Sequence, residues 1–220
     1  MALFDVINTC IEQIKNILPF FKPSYNYSDI KLKVFSDNFF FCSETGYLQL
    51  LFFVSHLQAV LTTVNVFIRG ALCYNDLIFT DDFIYGKGMI EAHDIESKIA
   101  IFPRLIIDDS FFSGAANIEN SNTNINISLV EIKEHLKSSY FEDFDGNNTL
   151  DYLEECRNFT ENSPRNIYPY TIRDIVYEHG NQILNNLNIT SRKIHQKYCW
   201  CKKYHNKFCS NDNLLDLVIR

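Results

Sequence analysis

The sequence predicts an α+β fold in which helices cover one face of an antiparallel sheet. Its 220 residues are 46% hydrophobic and 21% charged, a balance that supports one packed domain with an appendage. Segments with the apolar spacing of helices alternate with short apolar runs typical of strands. Their order (helix, hairpin, helix, strand pair, helix, strand) is that of a ferredoxin-like layer that lacks its first strand.

Composition and charge restrict the class of protein. A formal net charge of −7 and a pI near 5.3 argue against a protein that coats nucleic acid, which needs a basic face. The cysteines are odd in number, and Cys42 and Cys73 lie in apolar runs, as expected of free thiols in a reducing compartment. The longest apolar stretch, residues 48–53, is too short to span a bilayer, and no signal-peptide pattern opens the sequence. We therefore expect a cytoplasmic protein without a membrane or nucleic-acid partner.

The first third of the chain alternates helices and strands. Residues 1–18 have apolar side chains at helical spacing, with charged side chains on the other face. Residues 30–42 predict a hairpin, because aromatic and β-branched runs flank a polar turn. Residues 47–62 are strongly apolar, which predicts a helix buried on most of its surface. Residues 64–73 are typical of a central strand.

The middle of the chain continues this alternation. Residues 77–85 predict a strand interrupted by a turn, residues 86–100 a helix with one apolar face, and residues 103–107 a strand. Residues 113–127 are rich in Asn, Ser, Ala and Gly, which predicts a mobile loop. Ser128 then N-caps a helix, with a glutamate at the capping-box position three residues later.

The last part of the chain is predicted to be mainly helical. After two strand-like pieces, apolar spacing predicts helices over residues 171–187 and 191–208. We therefore divide the chain into an α+β domain, residues 1–160, and a C-terminal helical extension, residues 161–220.

The segment from Lys33 to Asn38 holds the most informative candidate site. A Ser-Asp-Asn turn joins two apolar strands here. A carboxylate at the tip of a hairpin, beside a buried sheet, is well placed to bind a divalent cation. The same position is ordinary for a solvated turn aspartate, and spacing alone favours that interpretation of Asp37.

A longer segment carries a resemblance to a known family. Residues 66–108 contain an Arg-Gly strand, a glycine before a helix, an Ile-Glu pair and a Phe-Pro-Arg strand. These motifs are RGAL at 69–72, YGKG at 85–88, EAHDIE at 91–96 and FPR at 102–104, followed by DFDG at 143–146, DYL at 151–153 and KYCW at 197–200. In this order they resemble the catalytic domain of class III nucleotidyl cyclases. They are more similar still to the bacterial pyrimidine-cyclase-like (Pycsar-type) branch of anti-phage defence.

The resemblance implies a homodimeric lyase that uses Mg²⁺ or Mn²⁺ to cyclise a nucleoside triphosphate to a 3′,5′-cyclic nucleotide, in antiviral signalling. It implies that Asp37 is one of two metal-binding aspartates. The implied nucleotide contacts are Lys33 (which would select the base), Ser36, Phe83 and Arg69. The second aspartate belongs to the first strand, which this sequence lacks. Asp5 is the one candidate for it, although its helical setting is more typical of a helix N-terminal charge.

Some positions depart from the family pattern. On the helix after the glycine, class III enzymes place Asn and Arg, which stabilise charge on the transferring phosphate. Ile90 and Asp94 stand there instead, and neither can donate a hydrogen bond to a phosphate. Phe83 stands where classical members contact the base, and a phenyl ring can stack on a base without reading it. The chain is therefore either an atypical cyclase or an inactive homologue that binds a nucleotide or a partner protein.

A group of zinc-ligand residue types lies near the end of the sequence. Cys199, Cys201, His205 and Cys209 form the pattern C-x-C-x3-H-x3-C, which suits a closed structural site. However, the two cysteines that flank Trp200 would lie on different faces of one helix. We therefore favour free thiols in a docking helix over a zinc site.

Three further candidates have plain structural interpretations. Residues 143–147 resemble part of an EF-hand loop, but Phe141 and Tyr152 occupy its first and last ligand positions, which favours a turn. His56 lies in an apolar helix and is expected to be a hydrogen-bonded core histidine. His93 is expected to be a surface histidine.

Overall fold

The computed structural model describes residues 5, 8, 9, 11, 12, 29–35, 38–123, 126–161, 170–189 and 191–220, and every structural statement below concerns these residues. They form an α+β structure with three small sheets and seven α-helices, whose bounds are given below. The chain divides into two compact units. Unit 1 contains Met1–Val66, Tyr152–Leu184 and His205–Arg220, and unit 2 contains Phe67–Asp151 and Asn185–Tyr204.

The predicted hairpin is confirmed in unit 1. Strand β1 (Lys31–Phe35) pairs antiparallel with β2 (Asn38–Cys42). The register places Lys33 opposite Phe40. The Phe41 ring packs at 5.1 Å, between centroids, from Phe53 of the following helix, which anchors one face of the hairpin.

The predicted buried helix of unit 1 is also confirmed. Helix α1 (Tyr47–Thr63) buries most of its side chains, because apolar residues occupy nearly its whole circumference. Helix α5 (Tyr152–Glu161) packs against it through the rings of Phe52 and Phe159, whose centroids are 5.1 Å apart. The described residues near the N-terminus are helical, with Ile11 buried, in agreement with the predicted amphipathic segment.

Two long helices have residues in both units. Helix α6 (Ile172–Leu187) agrees with the predicted segment, and α7 (Arg192–Asn211) extends three residues beyond its predicted end. A 3₁₀ turn (Leu215–Leu217) follows α7. This division differs from the predicted boundary between residues 160 and 161, since both units draw residues from the predicted helical extension. Within the described ranges, no helix is both long enough and apolar enough to cross a membrane.

The main sheet of unit 2 is mixed, which corrects the predicted antiparallel arrangement. Its order is β3 (Gly70–Leu72), β6 (Leu105–Ile107), β8 (Asn148–Leu150) and β7 (Tyr140–Glu142). The first two strands are parallel, and the other pairs are antiparallel. A crossover that contains a helix links β3 to β6, and such a connection returns the chain in the same direction. The β1–β2 hairpin forms a separate sheet.

The crossover of unit 2 contains a second hairpin and a helix. Strands β4 (Ile78–Phe79) and β5 (Ile84–Tyr85) pair before helix α2 (Lys87–Lys98). Gly86 precedes the helix with φ 145°, and a Cβ there would lie 2.4 Å from the carbonyl oxygen of Asp76. Only glycine fits this conformation and this space, so Gly86 fixes where the helix begins.

The predicted mobile loop at residues 113–127 is wrong over most of its length. Helix α3 (Asp109–Thr123) occupies it, because Phe112 and Ala115 bury their side chains on one face. The polar residues that suggested a loop cover the remaining faces. The strand predicted over residues 64–73 is likewise shorter, since only Gly70–Leu72 pairs as a strand.

The predicted cap of the next helix is confirmed. Ser128 begins helix α4 (Leu129–His135), and its hydroxyl oxygen accepts a hydrogen bond from the Glu131 backbone N–H at 3.3 Å. In return, the Glu131 carboxylate accepts from the Ser128 backbone N–H at 2.8 Å. These bonds satisfy two helix-end donors and hold the pKa of Glu131 below its ordinary value.

Replacing Ser128 by alanine removes one half of this capping box. We expect the free energy of unfolding to fall by about 1 kcal/mol, because one backbone N–H loses its acceptor. Urea denaturation measures the change. The control is Ser121→Ala, on the exposed surface inside α3, where the hydroxyl donates to the Asn117 carbonyl and caps nothing. Equal losses in the two variants would contradict a specific cap.

Candidate functional site

The predicted metal and base-binding residues lie mainly in unit 1. Ser36 and Asp37 are outside the described residues, so their roles stay predictions. Lys33 lies on β1 and is partly buried. Asp5 is exposed and helical, and its carbonyl oxygen accepts a hydrogen bond from the Thr9 hydroxyl at 2.7 Å. This is the setting that the sequence suggested for a helix charge.

Arg69 lies in a cluster of cations in unit 2. It stands immediately before β3, and its Nε lies 2.6 Å from a carboxylate oxygen of Glu96 on α2. Burial lowers the pKa of the Lys197 ammonium on α7, and Arg69 and Lys193 lower it further by like-charge repulsion. We call Arg69, Lys193 and Lys197, with Glu96, the basic cluster. Three cations and one carboxylate give the cluster a net positive charge, in a chain whose formal net charge is −7.

The packing that forms the basic cluster is aromatic. The rings of Phe67 and Tyr198 meet edge to face, with centroids 5.2 Å apart, and hold α7 beside the segment that leads into β3. Sequence analysis named Arg69, quoted Lys197 only as part of a motif and missed Lys193. A local signal existed, since residues four apart share one face of a helix. Nothing local, however, indicated that this face would approach Arg69.

The positions at which the family places a base contact and phosphate donors are exposed in unit 2. The Phe83 side chain is 52% exposed in the turn between β4 and β5, and its backbone N–H donates to the Thr80 hydroxyl at 3.1 Å. Ile90 is 60% exposed on α2. Asp94 forms a 2.8 Å ion pair with Lys98 one turn later. The surface of α2 therefore presents an alkyl group and a paired carboxylate where a cyclase would need donors.

The most buried charge in unit 2 is Arg104, which sequence analysis quoted only as part of the motif at residues 102–104. The Arg104 side chain is fully buried. Its guanidinium donates to Asp143 at 2.5 Å and to Asp145 at 3.0 Å, with a second, shorter contact to Asp145. The Trp200 indole N–H donates to the same Asp143 carboxylate at 2.8 Å. We call Arg104, Asp143, Asp145 and Trp200 the arginine cluster.

The arginine cluster excludes the EF-hand interpretation of residues 143–147. Both aspartates are occupied by the guanidinium, and the hydrogen bonds from Arg104 hold the pKa of Asp145 below its ordinary value. Gly146, directly after Asp145, takes φ 79°, which turns the chain from β7 into β8. The cluster therefore stabilises the hairpin, and the turn predicted for these residues is confirmed.

The zinc pattern does not form a metal site. Among the described residues, no three His, Cys, Asp or Glu side chains are arranged to share a metal ion. The Cys199 sulfur lies 3.3 Å from Nε2 of His195. Cys201 is buried, and burial raises the pKa of its thiol far above the ordinary value. Both ring nitrogens of His205 are engaged in hydrogen bonds, so the cysteines behave as free thiols.

The two other predicted histidines have ordinary roles. His56 is buried in α1, and its Nδ1 lies 2.9 Å from the Phe52 carbonyl oxygen. Burial lowers its pKa to about 4, so the ring is neutral near pH 7. Its Nε2 has no hydrogen-bond partner in the described part of the chain. His93 is exposed on α2, 4.0 Å from Glu96, as expected of a surface histidine.

Comparisons of the chain with protein-family models, with curated proteins and with solved structures gave no match. The resemblance to nucleotidyl cyclases therefore depends on the motifs quoted above.

Replacing Arg104 by methionine tests the arginine cluster. We expect the free energy of unfolding to fall by about 3–5 kcal/mol, because two carboxylates lose their buried counter-charge. Arg104→Lys should lose less, since it keeps the charge but not the planar fork. Lys137→Met, which removes an exposed partner of Glu134, is the matched control and should cost at most about 1 kcal/mol.

The same variant should show a defined pH dependence. The folded-state pKa of Asp145 is depressed, so its contribution to stability is present above the unfolded value near 3.8 and is lost as the pH falls through the folded value. The stability difference between wild type and Arg104→Met should therefore shrink below about pH 4. Urea denaturation at pH 7 and at pH 3 measures it, and a constant difference would contradict the ion pair.

Proposed function

We propose that this protein is a nucleotidyl cyclase-like protein that binds a nucleoside triphosphate with Mg²⁺ or Mn²⁺ and cyclises it to a 3′,5′-cyclic nucleotide. The observation that carries the proposal is the succession of β3, Gly86, α2 and β6. These elements coincide with the strand, glycine, helix and strand of the family motifs. A ferredoxin-like arrangement, a homodimer, a cytoplasmic location and a role in antiviral signalling belong to the same proposal.

The family chemistry assigns roles to the residues that the motifs indicate. Bound metal ions would neutralise the triphosphate and activate the ribose 3′-hydroxyl for attack on the α-phosphorus. Asp37 would hold a metal, with Asp5 as the weaker second candidate. Lys33 and Ser36 would contact the nucleotide, and Phe83 offers an exposed ring for stacking on a base.

The basic cluster supports recognition of phosphate. The Arg69 side chain is 38% exposed, and its ion pair with Glu96 engages Nε. A partly exposed guanidinium is well suited to phosphate, because it offers several donors in one plane. Lys193 and Lys197 add positive potential within a chain that is acidic overall. A local cationic site in an acidic protein favours a polyanion of defined shape over a long nucleic acid.

One observation on helix α2 favours a second candidate function. Ile90 and Asp94 present no donor from α2, and Asp94 is held by Lys98. An inactive homologue that binds a nucleotide, or a partner protein, would need no such donor. The two candidates differ in turnover.

The deciding experiment incubates the chain separately with ATP, GTP, CTP and UTP, with Mg²⁺ or Mn²⁺. Calorimetry measures binding, and mass spectrometry detects cyclic products. We expect metal-dependent binding and a cyclic product that Asp37→Ala abolishes. Binding without any product would establish the second candidate. If no triphosphate binds with either metal, both nucleotide proposals are wrong.

Arg69→Gln tests the basic cluster in the same assay. We expect the Kd for the bound triphosphate to rise by about 10- to 100-fold, because charge-assisted hydrogen bonds to phosphate are lost. Lys137→Gln is the matched control, since it removes one exposed positive charge outside the cluster. A thermal melt of each variant verifies folding. Equal Kd values for the two variants would show that Arg69 makes no specific contact.

A further inference from the structure

Unit 1 contains a buried chain of hydrogen bonds that the proposed function does not use. The Tyr152 hydroxyl lies 2.7 Å from Nε2 of His179. Nδ1 of His179 lies 3.0 Å from Nδ1 of His205, and Nε2 of His205 lies 2.9 Å from the Leu217 carbonyl oxygen. Both imidazoles are fully buried, and Tyr152 is nearly so. We call these four groups the histidine chain.

The end of the histidine chain fixes its protonation. The Leu217 carbonyl can only accept, so Nε2 of His205 carries a hydrogen, and Nδ1 of a neutral His205 is an acceptor. Nδ1 of His179 must then donate, which leaves its Nε2 to accept from the Tyr152 hydroxyl. One direction of donation therefore satisfies every member with both rings neutral.

Added protons disrupt this arrangement. One extra proton can be accommodated only if the Tyr152 hydroxyl changes from donor to acceptor, and if that proton resides on His205 the donation between the rings reverses as well. That change places a positive charge in a fully buried site. A second proton puts two N–H groups against each other across the 3.0 Å gap between His179 and His205. In agreement, burial lowers the pKa of both histidines, and His205 lowers that of His179 further.

The histidine chain binds Leu217, in the middle of a short segment, residues 214–220. The same segment is tied by Asn206, whose side-chain amide donates to the Ile219 carbonyl at 2.8 Å and accepts from the Ile219 N–H at 2.8 Å. Ile219 is buried. Asn206 does not titrate, so these two hydrogen bonds are independent of pH, unlike the bond from His205.

The groups around the two rings come from three helices and the 3₁₀ turn. Tyr152 faces them from α5. The His205 ring lies beside Gly180 of α6, where a Cβ would come within 3.0 Å of it. On α7, the Cys209 sulfur lies 3.4 Å from Nε2 of His205. Burial, followed by the charges of Asp212 and Asp216, raises the pKa of Cys209 to about 11, so this thiol stays neutral.

The nearby carboxylates are held by arginines. Asp212 pairs with Arg157 at 2.8 Å, and Asp216 pairs with Arg173 on the surface. The hydrogen bond from Arg173 holds the pKa of Asp216 below its ordinary value, so this carboxylate adds no pH response in the range in which histidines titrate.

We propose that the histidine chain is a pH-sensitive latch, which holds residues 214–220 closed when His179 and His205 are neutral and releases them on acidification. The proposal does not depend on nucleotide binding. In the closed form both pKa values are depressed, and in the open form they return to about 6.5. Closure is therefore fully favoured above that pH and weakens below it. Each histidine contributes up to about tenfold per pH unit, and the pair up to about 100-fold.

Hydrogen exchange read by mass spectrometry tests the latch on the full chain between pH 8 and pH 5. After correction for intrinsic exchange rates, protection of peptides that cover residues 212–220 should fall by about 10- to 100-fold per pH unit below about 6.5. Peptides from β6 and α1 should keep their protection. Unchanged protection of residues 212–220 would overturn the proposal, and so would loss of protection throughout unit 1 at the same pH.

Variants separate the His205–Leu217 bond, which depends on a titrating ring, from the Asn206–Ile219 bonds, which do not titrate. His205→Gln keeps an N–H donor for Leu217 without a titrating ring. In this variant, the pH dependence of protection at residues 212–220 should fall to that expected of one histidine or less. His195→Gln, an exposed histidine on α7, should keep the wild-type pH dependence. Asn206→Ala should lower protection equally at every pH. A His205→Gln variant with the full wild-type slope would overturn the proposal.

Imidazole nitrogen NMR of the wild type provides a test that needs no variant. The two latch histidines should remain neutral at pH 6, with the hydrogen on Nδ1 in His179 and on Nε2 in His205. Titration of either ring with an ordinary midpoint near 6.5 would overturn the proposal.

Discussion

Complete burial of the Arg104 guanidinium is the constraint on which unit 2 depends. A charge removed from water persists only where opposite charge and hydrogen bonds compensate it. Asp143 and Asp145 provide both from the turn between β7 and β8, and Trp200 fixes one of those carboxylates from α7. A side chain beside β6 thus sets the position of a hairpin and of a helix that are remote in sequence.

Much of the fold could be predicted because its causes are local. The hairpin β1–β2, the apolar helix α1 and the Ser128 cap follow from residue type and spacing within a few positions. Helix α3 could not be predicted from average composition, since a few buried side chains outweigh many polar ones: Phe111, Phe112, Ala115 and Ala116. The predicted antiparallel arrangement of the strands was wrong for another reason. The parallel pairing of β3 with β6 depends on how a crossover returns, and local patterns do not encode that.

The candidate sites show the same separation between local and distant causes. Motif order was enough to select Arg69, but its cationic neighbours come from a helix more than a hundred residues later. His205 was assigned to a zinc pattern because three cysteines lie near it in sequence. Its actual partners are His179 from the preceding helix and a carbonyl group from the segment after α7. Asp37, the residue on which the catalytic hypothesis depends most, stays a prediction.

The division of α6 and α7 between the two units has a consequence for anyone who wishes to work with a smaller piece of this protein. A fragment that ends at residue 160 follows the boundary that the sequence suggests. It would nevertheless remove Ile183 and Cys209 from the interior of unit 1, together with Trp200 from unit 2. What remains of each unit in this fragment would expose apolar surface that these side chains cover, and such surface promotes aggregation. Useful shortening should therefore spare both helices.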